Sequence, residues 1–282
     1  MTVDGEGRLW LASSTDEGMV RFEPRTGRSD LFRPDSMDPL GLLSNRVLSL
    51  AVDPRGDLWV GLLRGGSQRL RLSEPGMDRF RAGHAGSQSF CAMSPLDATR
   101  LLVSLCGAGL GELDLASGGW TDLTPRIARH LASGAETLTA HALLRDAGGA
   151  LWIPTTREGL LRWDPDRDQM TVLPLLAPDG SVVPSPYLTH IFEDAAGRIW
   201  VGSSYGLARV DDARTRLQQV GPLRLREGSY GGGINDVAQA PEGRLWLASN
   251  AGLLLYDPDT GQTQSLRHDP LDRQSLSDDR VL

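Results

Sequence analysis

A short sequence motif recurs six times along the chain and constrains the fold more than any other feature. It begins with an acidic or turn residue, passes through a glycine-containing turn and ends in an aliphatic residue followed by an anchor residue. The anchors are Trp10, Trp59, Leu102 (in a degenerate copy), Trp152, Trp200 and Trp246. They are separated by 49, 43, 50, 48 and 46 residues. A repeat of this length, built from short strands, predicts a β-propeller.

The second repeat shows how one unit is built. Ser44–Val52 is predicted to be a strand covered on both sides, because small and aliphatic residues occupy both of its faces. Asp53–Asp57 forms a turn and Leu58–Leu62 a second strand. A third strand and a more polar fourth strand follow, as in Arg28–Arg33 of the first repeat. Four antiparallel strands make one propeller blade, and we expect the anchor tryptophans to pack between neighbouring blades.

The predicted fold class is therefore all-β: a β-propeller of four-stranded antiparallel blades, with six repeats in the chain. One propeller domain, or a fragment of one, is expected over residues 1–282. Two accounts fit the ends: they complete one blade and close a six-bladed ring, or the chain is part of a larger propeller. The approximate repeats are 1–40, 41–84, 85–133, 134–180, 181–228 and 229–275, with 276–282 starting the next inner strand.

Composition excludes several classes of function. The formal net charge of −7 argues against a nucleic-acid partner, because binding to phosphates requires a clustered cationic surface. No apolar run approaches the roughly 18 residues that span a bilayer, and this segment shows no signal peptide. We expect no catalytic residue, no metal ion and no cofactor, since the histidines lack metal-ligand spacing. The five histidines are His84, His130, His141, His190 and His268.

The two cysteines fall in one repeat, and the sequence leaves two interpretations open. Cys91 lies in the predicted first strand and Cys106 in the second, and a turn at Asp97–Arg100 would place them opposite each other. A cross-strand disulfide fits this geometry and would suit an oxidising compartment. Two buried thiols fit as well, because the cysteines stand where the preceding repeat has Leu48 and Leu63. Neither interpretation gives them a catalytic role.

The starts of the first strands supply the candidate binding site. In a propeller these residues crowd the axis at one end, where pockets form. Arginines, a tyrosine and small polar residues there suit a sugar, with Tyr187 as a stacking platform and the arginines as donors. The alternative is that they only satisfy loops and neighbouring blades. The predicted ligand-binding residues are Asn45, Arg46, Gln88, Thr139, Tyr187, His190, Asp279 and Arg280.

The repeats also resemble those of a known family. Gly41–Gly61 looks like the two-component regulator propeller repeat, and so do Phe32–Val47 and Tyr256–Val281. The resemblance covers essentially the whole chain and is weakest between residues 76 and 145. It implies a bacterial periplasmic sensor whose propeller, commonly seven-bladed, precedes a β-sandwich, a membrane helix and a histidine kinase or diguanylate cyclase. Known ligands in the family tend to be oligosaccharides derived from polysaccharides.

Together these observations predict an extracytoplasmic, periplasmic sensing propeller that binds an oligosaccharide, another small ligand or a partner without catalysis. The expected partners are other domains of the same polypeptide and a second copy of the chain in a homodimer. A weaker resemblance to streptogramin lyase propellers leaves a lyase or glycan-active enzyme as one alternative. That alternative requires histidines and carboxylates to converge on one face. A passive scaffold that dimerises or spaces other domains is the second alternative.

Overall fold

The computed structural model describes residues 2–12, 18–23, 25–35, 41–63, 66–73, 77–80, 89–131, 138–184, 186–220, 233–240 and 242–271. The chain divides into two compact units: unit 1, residues 1–140, and unit 2, residues 141–282. Apart from one short helix, the regular structure of the described residues consists of β-strands. The predicted all-β class is confirmed.

Unit 1 contains three antiparallel sheets, each formed by four strands in chain order. The helix α1, Thr124–Ala128, follows the third sheet. The strands of the first sheet are β1 Thr2–Val3, β2 Leu9–Ala12, β3 Met19–Glu23 and β4 Arg28–Phe32. Those of the second are β5 Val47–Val52, β6 Leu58–Leu62, β7 Ser67–Leu70 and β8 Met77–Phe80. Those of the third are β9 Phe90–Pro95, β10 Arg100–Leu105, β11 Gly109–Asp114 and β12 Trp120–Asp122.

Unit 2 contains three more sheets with the same strand order. The fourth is β13 Leu144–Arg145, β14 Leu151–Pro154, β15 Leu160–Asp164 and β16 Gln169–Leu173. The fifth is β18 Leu188–Glu193, β19 Ile199–Ser203, β20 Gly206–Val210 and β21 Leu217–Gln219, with β17 Leu175–Leu176 added outside β21. The sixth is β22 Ile234–Gln239, β23 Leu245–Ser249, β24 Gly252–Tyr256 and β25 Thr263–Leu266. These six sheets, blades 1 to 6, confirm the predicted propeller fold.

The first strand of blade 2 is shorter than predicted and begins at Val47 rather than Ser44. The three residues before it make other hydrogen bonds. The carbonyl of Asn45 accepts from the Gly18 N–H of blade 1 at 2.8 Å, and the Arg46 N–H donates to Ser44 Oγ at 3.1 Å. This segment therefore joins two blades before the strand begins.

A buried hydrogen bond links the first and last residues of the recurring sequence motif. In four blades one carboxylate oxygen of the aspartate accepts from the indole N–H of the anchor tryptophan, six residues on. The other oxygen accepts backbone N–H bonds within the turn, as predicted for an aspartate here. In blade 4, Asp146 Oδ1 accepts from Gly148 and Ala150. The indole bonds are Asp4–Trp10 at 2.7 Å, Asp53–Trp59 at 3.0 Å, Asp146–Trp152 at 2.8 Å and Asp194–Trp200 at 2.9 Å.

Blade 3 replaces both members of this pair, and its turn differs from the prediction. Leu96 stands at the aspartate position and Leu102 at the tryptophan position, and both are buried. The N–H of Leu96 donates to the Arg100 carbonyl at 2.9 Å, as the N–H of Asp146 does to Ala150. The turn therefore begins at Leu96, not Asp97, and Leu101 lies opposite Pro95.

Four of the five anchor tryptophans lie between neighbouring blades, as predicted. Each of the four that bond an aspartate is at most 1% exposed and shares a hydrophobic cluster with strands of the next blade. The clusters contain Trp10 with Val47 and Leu58, Trp59 with Phe90 and Leu101, Trp152 with Leu188 and Ile199, and Trp200 with Ile234 and Leu245.

Cys91 and Cys106 form a disulfide, with Cα atoms 5.3 Å apart. The interpretation as two free thiols is therefore wrong. The cysteines are not directly opposite each other as predicted, because Phe90 pairs with Leu105 and Ala92 with Ser104. Cys91 is the bulge residue between these pairs.

Candidate ligand-binding rim

Four first strands carry a β-bulge at the same repeat position. In β5, β9, β18 and β22 the ladder register shifts at the residue eleven positions before the anchor. A bulge leaves one residue outside the ladder and re-aims its side chain. The side chains at this position and the next therefore determine which chemical groups are available at the start of each first strand. The bulge residues are Leu48, Cys91, Thr189 and Asn235.

These positions carry different chemistry in the two units. In unit 1 they hold Leu48 and Ser49, then the disulfide-bonded Cys91 and Ala92. The Ser49 hydroxyl donates to the carbonyl of Phe90 at 3.0 Å, which joins blades 2 and 3. Unit 2 places polar and titratable groups at the same positions. We define its rim as these residues and their neighbours in the adjoining turns: His141, Ala142, Tyr187, Thr189, His190, Ser204, Tyr205, Asn235, Asp236 and Asn250.

Tyr187 and His141 join blades 4 and 5 on this rim. The phenol oxygen lies 2.8 Å from His141 Nε2, and the two rings stack with centroids 5.5 Å apart. Burial lowers the pKa of His141, which favours the neutral imidazole that can accept the phenolic proton. The Tyr187 carbonyl accepts from the Ser204 N–H at 2.9 Å. Tyr187 is nevertheless 44% exposed, so its ring is available to a ligand.

Asparagine amides and a second exposed tyrosine continue the rim onto blade 6. Asn235 Nδ2 donates to Asn250 Oδ1 at 3.0 Å, and Asn250 is exposed. A side-chain carbon built on Gly233 would lie 3.5 Å from Ser204 Cα and 3.9 Å from Asn250 Nδ2. These are ordinary van der Waals distances, so Gly233 of blade 6 lies beside the turn that contains Ser204 of blade 5. Tyr205, next to Ser204, is 49% exposed.

His190 and Asp236 lie within hydrogen-bonding distance at equivalent positions of β18 and β22. Nε2 and Oδ1 are 3.0 Å apart, and each side chain is 28% exposed. Burial lowers the pKa of His190, although the Asp236 carboxylate acts in the opposite direction. The neutral imidazole can donate its Nε2 proton to Asp236 and keep Nδ1 as an acceptor. Among the residues that the structure describes, no group of three or more His, Cys, Asp or Glu side chains could hold a metal ion.

Of the five predicted site residues that the structure describes, Tyr187 and His190 belong to this rim. Asn45 and Arg46 secure the start of blade 2 through their backbone groups, and Arg46 also accepts from the Leu63 N–H at 3.0 Å. The Thr139 hydroxyl accepts from the Gly107 N–H at 3.1 Å, which secures the turn between β10 and β11. Gln88, Asp279 and Arg280, together with His84 and residues 276–282, lie outside the described residues.

Sequence reasoning missed most of the rim, although a signal was available. His141 was considered only as a metal or catalytic ligand, and Asn235, Asp236, Asn250 and Tyr205 were not singled out. When the repeats are aligned on their anchors, the position eleven residues before the anchor holds His141, Thr189 and Asn235 in unit 2. The same position holds Leu48 and Cys91 in unit 1. That change from apolar to polar residues marks unit 2.

Two segments of the chain match a known repeat family. Residues 41–63 and 183–205 match the family model described as two component regulator propeller. The resemblance stated above is confirmed for these two repeats. The second matched segment contains Tyr187, His190 and Tyr205 of the rim. No helix among the described residues is long and apolar enough to cross a membrane.

Solved structures share the fold at low sequence identity. The extracellular domain of a candidate hybrid two-component system from B. thetaiotaomicron has a TM-score of 0.75 at 19% identity, covering 99% of this chain and 36% of that chain. That of a candidate one-component system from the same organism has a TM-score of 0.74 at 18% identity, covering 99% and 34%. This chain thus spans about a third of their length.

A lyase is also similar in fold. Virginiamycin B lyase from Staphylococcus aureus has a TM-score of 0.68 at 10% identity, covering 93% of this chain and 81% of that chain. At these identities the likeness concerns the fold alone. None of the curated proteins matches the chain.

Proposed function

We propose that this chain is the ligand-sensing propeller of a bacterial extracytoplasmic signalling protein, and that the rim of unit 2 is its binding surface. One observation carries the proposal. The exposed Tyr187 ring and its His141 partner form a built, solvent-accessible contact, and Tyr187 lies in a segment that matches the regulator repeat. In this proposal catalytic output would reside in other domains of the same polypeptide, as the family resemblance implies.

An oligosaccharide is the ligand class that this chemistry favours. Sugar rings offer C–H faces that pack on aromatic rings, and Tyr187 and Tyr205 are both exposed. Sugar hydroxyls both donate and accept, which suits the Asn235 and Asn250 amides and the Asp236 carboxylate. Binding of this kind needs neither a cofactor nor a metal ion.

A periplasmic location is part of the proposal. Disulfides persist in oxidising compartments and are rare in the cytosol, and Cys91 and Cys106 are bonded. The similar structures from B. thetaiotaomicron are extracellular domains. Both observations support an extracytoplasmic position.

The test is calorimetric titration of the protein with a library of plant and host oligosaccharides. We expect at least one to bind, and Tyr187→Ala to weaken that binding about tenfold or more. Leu31→Ala is the matched control, because Leu31 is 53% exposed but belongs to β4 of unit 1 and is not a rim residue. If no glycan binds and the protein instead dimerises with concentration, the sensor proposal fails and the scaffold alternative takes its place.

The His190–Asp236 contact favours a lyase as the second candidate function, since that alternative requires a histidine and a carboxylate together. His190 would remove a proton from a carbon next to a carbonyl, while Asp236 holds the imidazole. The released electron pair would form a C=C bond and expel an alkoxide, which is then protonated. Ultraviolet absorbance reports such an unsaturated product. If the parent protein turns over such a substrate and His190→Ala does not, the lyase function is established and the proposal of a non-catalytic sensor is wrong.

A further inference from the structure

We infer that the rim of unit 2 selects an uncharged glycan over uronate-bearing or sulfated glycans. The inference rests on the proposed function and concerns the charge of the ligand. Its basis is the charge balance of the described rim, taken group by group.

The inner groups of the rim carry one negative charge at neutral pH. Asp236 is a carboxylate, and its neighbour His190 is held in the neutral form by burial. His141 is likewise kept neutral beside Tyr187. The remaining polar groups are the Tyr187 phenol, the Thr189 hydroxyl and the Asn235 and Asn250 amides, which bear no charge.

The turn between β14 and β15, next to the start of β18, contains one residue of each charge. Thr155 of this turn accepts from the Leu188 N–H at 3.2 Å, which places the turn beside the start of β18. Arg157 and Glu158 follow in sequence, with opposite charges. The rim residues themselves, all of which the structure describes, include no arginine or lysine with which to balance an acidic sugar.

The whole chain has the same sign of charge. Its net charge of −7 repels a polyanion at long range, whereas a neutral glycan does not experience this force. At short range, Asp236 can accept hydrogen bonds from sugar hydroxyls but opposes a ligand carboxylate or sulfate placed against it. Stacking on Tyr187 is available to either kind of sugar, so the charge of the remaining groups decides between them.

The experiment is a glycan array probed with the labelled protein. The array carries neutral gluco-, galacto-, manno- and xylo-oligosaccharides beside oligogalacturonides, alginate oligosaccharides and chondroitin oligosaccharides. We expect binding to neutral glycans, lost in Tyr187→Ala. Acidic glycans bound in preference to neutral ones would overturn the inference and leave the sensor proposal intact. Binding to no glycan would overturn both.

Two further measurements make the test specific to the rim charge. Affinity for the neutral glycan should change less than about twofold between low and high salt, since screening acts only on charged pairs. Asp236→Asn should weaken the affinity for the neutral glycan severalfold. It should also reduce the ratio of that affinity to the affinity for the acidic glycans. Asp212→Asn is the control, because Asp212 is 89% exposed and lies in the β20–β21 turn at the other end of blade 5. If this ratio of affinities is unchanged in Asp236→Asn, the inference is contradicted.

Discussion

Asp146 and Trp152 are joined by a 2.8 Å hydrogen bond from the indole N–H to a carboxylate buried beneath the turn of blade 4. The pair recurs in three other blades, and in blade 3 leucines replace both partners together. In blade 6, where Ala240 replaces the aspartate, the anchor Trp246 is only partly buried. A buried carboxylate without its donor would be costly, so the two positions are physically linked.

The first prediction concerns this hydrogen bond. Trp152→Phe keeps an aromatic ring between the blades but removes the indole donor. We expect it to lower the free energy of unfolding by about 2 kcal/mol, the usual range for a hydrogen bond to a charged group. Trp246→Phe is the matched control and should cost under about 0.5 kcal/mol. Urea unfolding compares them, and equal losses would contradict the role given to Asp146.

The second prediction restores the missing member of the pair in blade 6. The turn at Ala240 already has the required backbone geometry, since its N–H donates to Arg244 at 2.8 Å and its carbonyl accepts from Gly243 at 3.0 Å. Ala240→Asp should therefore stabilise the protein by about 1 kcal/mol, measured by urea unfolding. The gain should shrink in a Trp246→Phe background, because the new carboxylate would lack its indole donor. A gain of the same size in both backgrounds would show that the indole bond does not form.

The third prediction concerns Arg214. Arg8 and Arg198 bond the aspartates of their own blades at 2.7 and 2.6 Å, but blade 4 has Ala150 at this position. Arg214 of blade 5 contacts Asp146 instead and lies 3.6 Å from Glu193. Arg214→Ala should therefore lower the free energy of unfolding by about 1.5 kcal/mol. The exposed Arg216 serves as control, and its alanine variant should unfold like the parent.

The fourth prediction concerns the disulfide of blade 3. Cys91 and Cys106 are 15 residues apart, and closing a loop of this size stabilises a fold by about 3 kcal/mol in the chain-entropy account. Addition of a reductant should lower the melting temperature and speed hydrogen exchange in β9 and β10. The double variant Cys91→Ala/Cys106→Ala should start at the lower temperature and not respond to the reductant. A reductant effect in that variant would mean that another process is being measured.

The fifth prediction concerns pH. The pKa values of His141 and His190 lie below the ordinary value of 6.5, so the folded protein binds fewer protons there than the unfolded chain. The free energy of unfolding should be highest above about pH 6.5 and fall as the pH decreases through the folded-state pKa values. Carboxylates with lowered pKa values, such as Asp78 and Asp97 at about 2, stay ionised down to pH 5.

Denaturant unfolding between pH 8 and pH 5 measures this dependence. The double variant His141→Gln/His190→Gln should lose most of it. A dependence unchanged in that variant would show that other groups carry it.

The sequence predicted the blades well because each repeat presents the same alternation of strand and turn. Leu58–Leu62 was predicted to the residue, and the packing of the anchor tryptophans followed from their spacing. The register around Cys91 was wrong for two reasons: the turn begins one residue earlier than predicted, at Leu96, and the bulge at Cys91 shifts the pairing again without leaving a mark in the hydrophobic pattern. The contact between Tyr187 and His141 spans 46 residues and arises only when two repeats pack together. For this reason the rim could not be assembled from one repeat.

The short strand β17 has a consequence for how copies of the protein could join. An outer strand offers unpaired backbone groups on which another chain can extend the sheet. On blade 5, Leu175 and Leu176 already occupy this position, parallel to Leu217 and Gln218 of β21. They belong to the segment that connects blades 4 and 5, so the connection also protects the edge. Association of copies of this protein by edge-to-edge strand pairing would therefore have to begin at another blade.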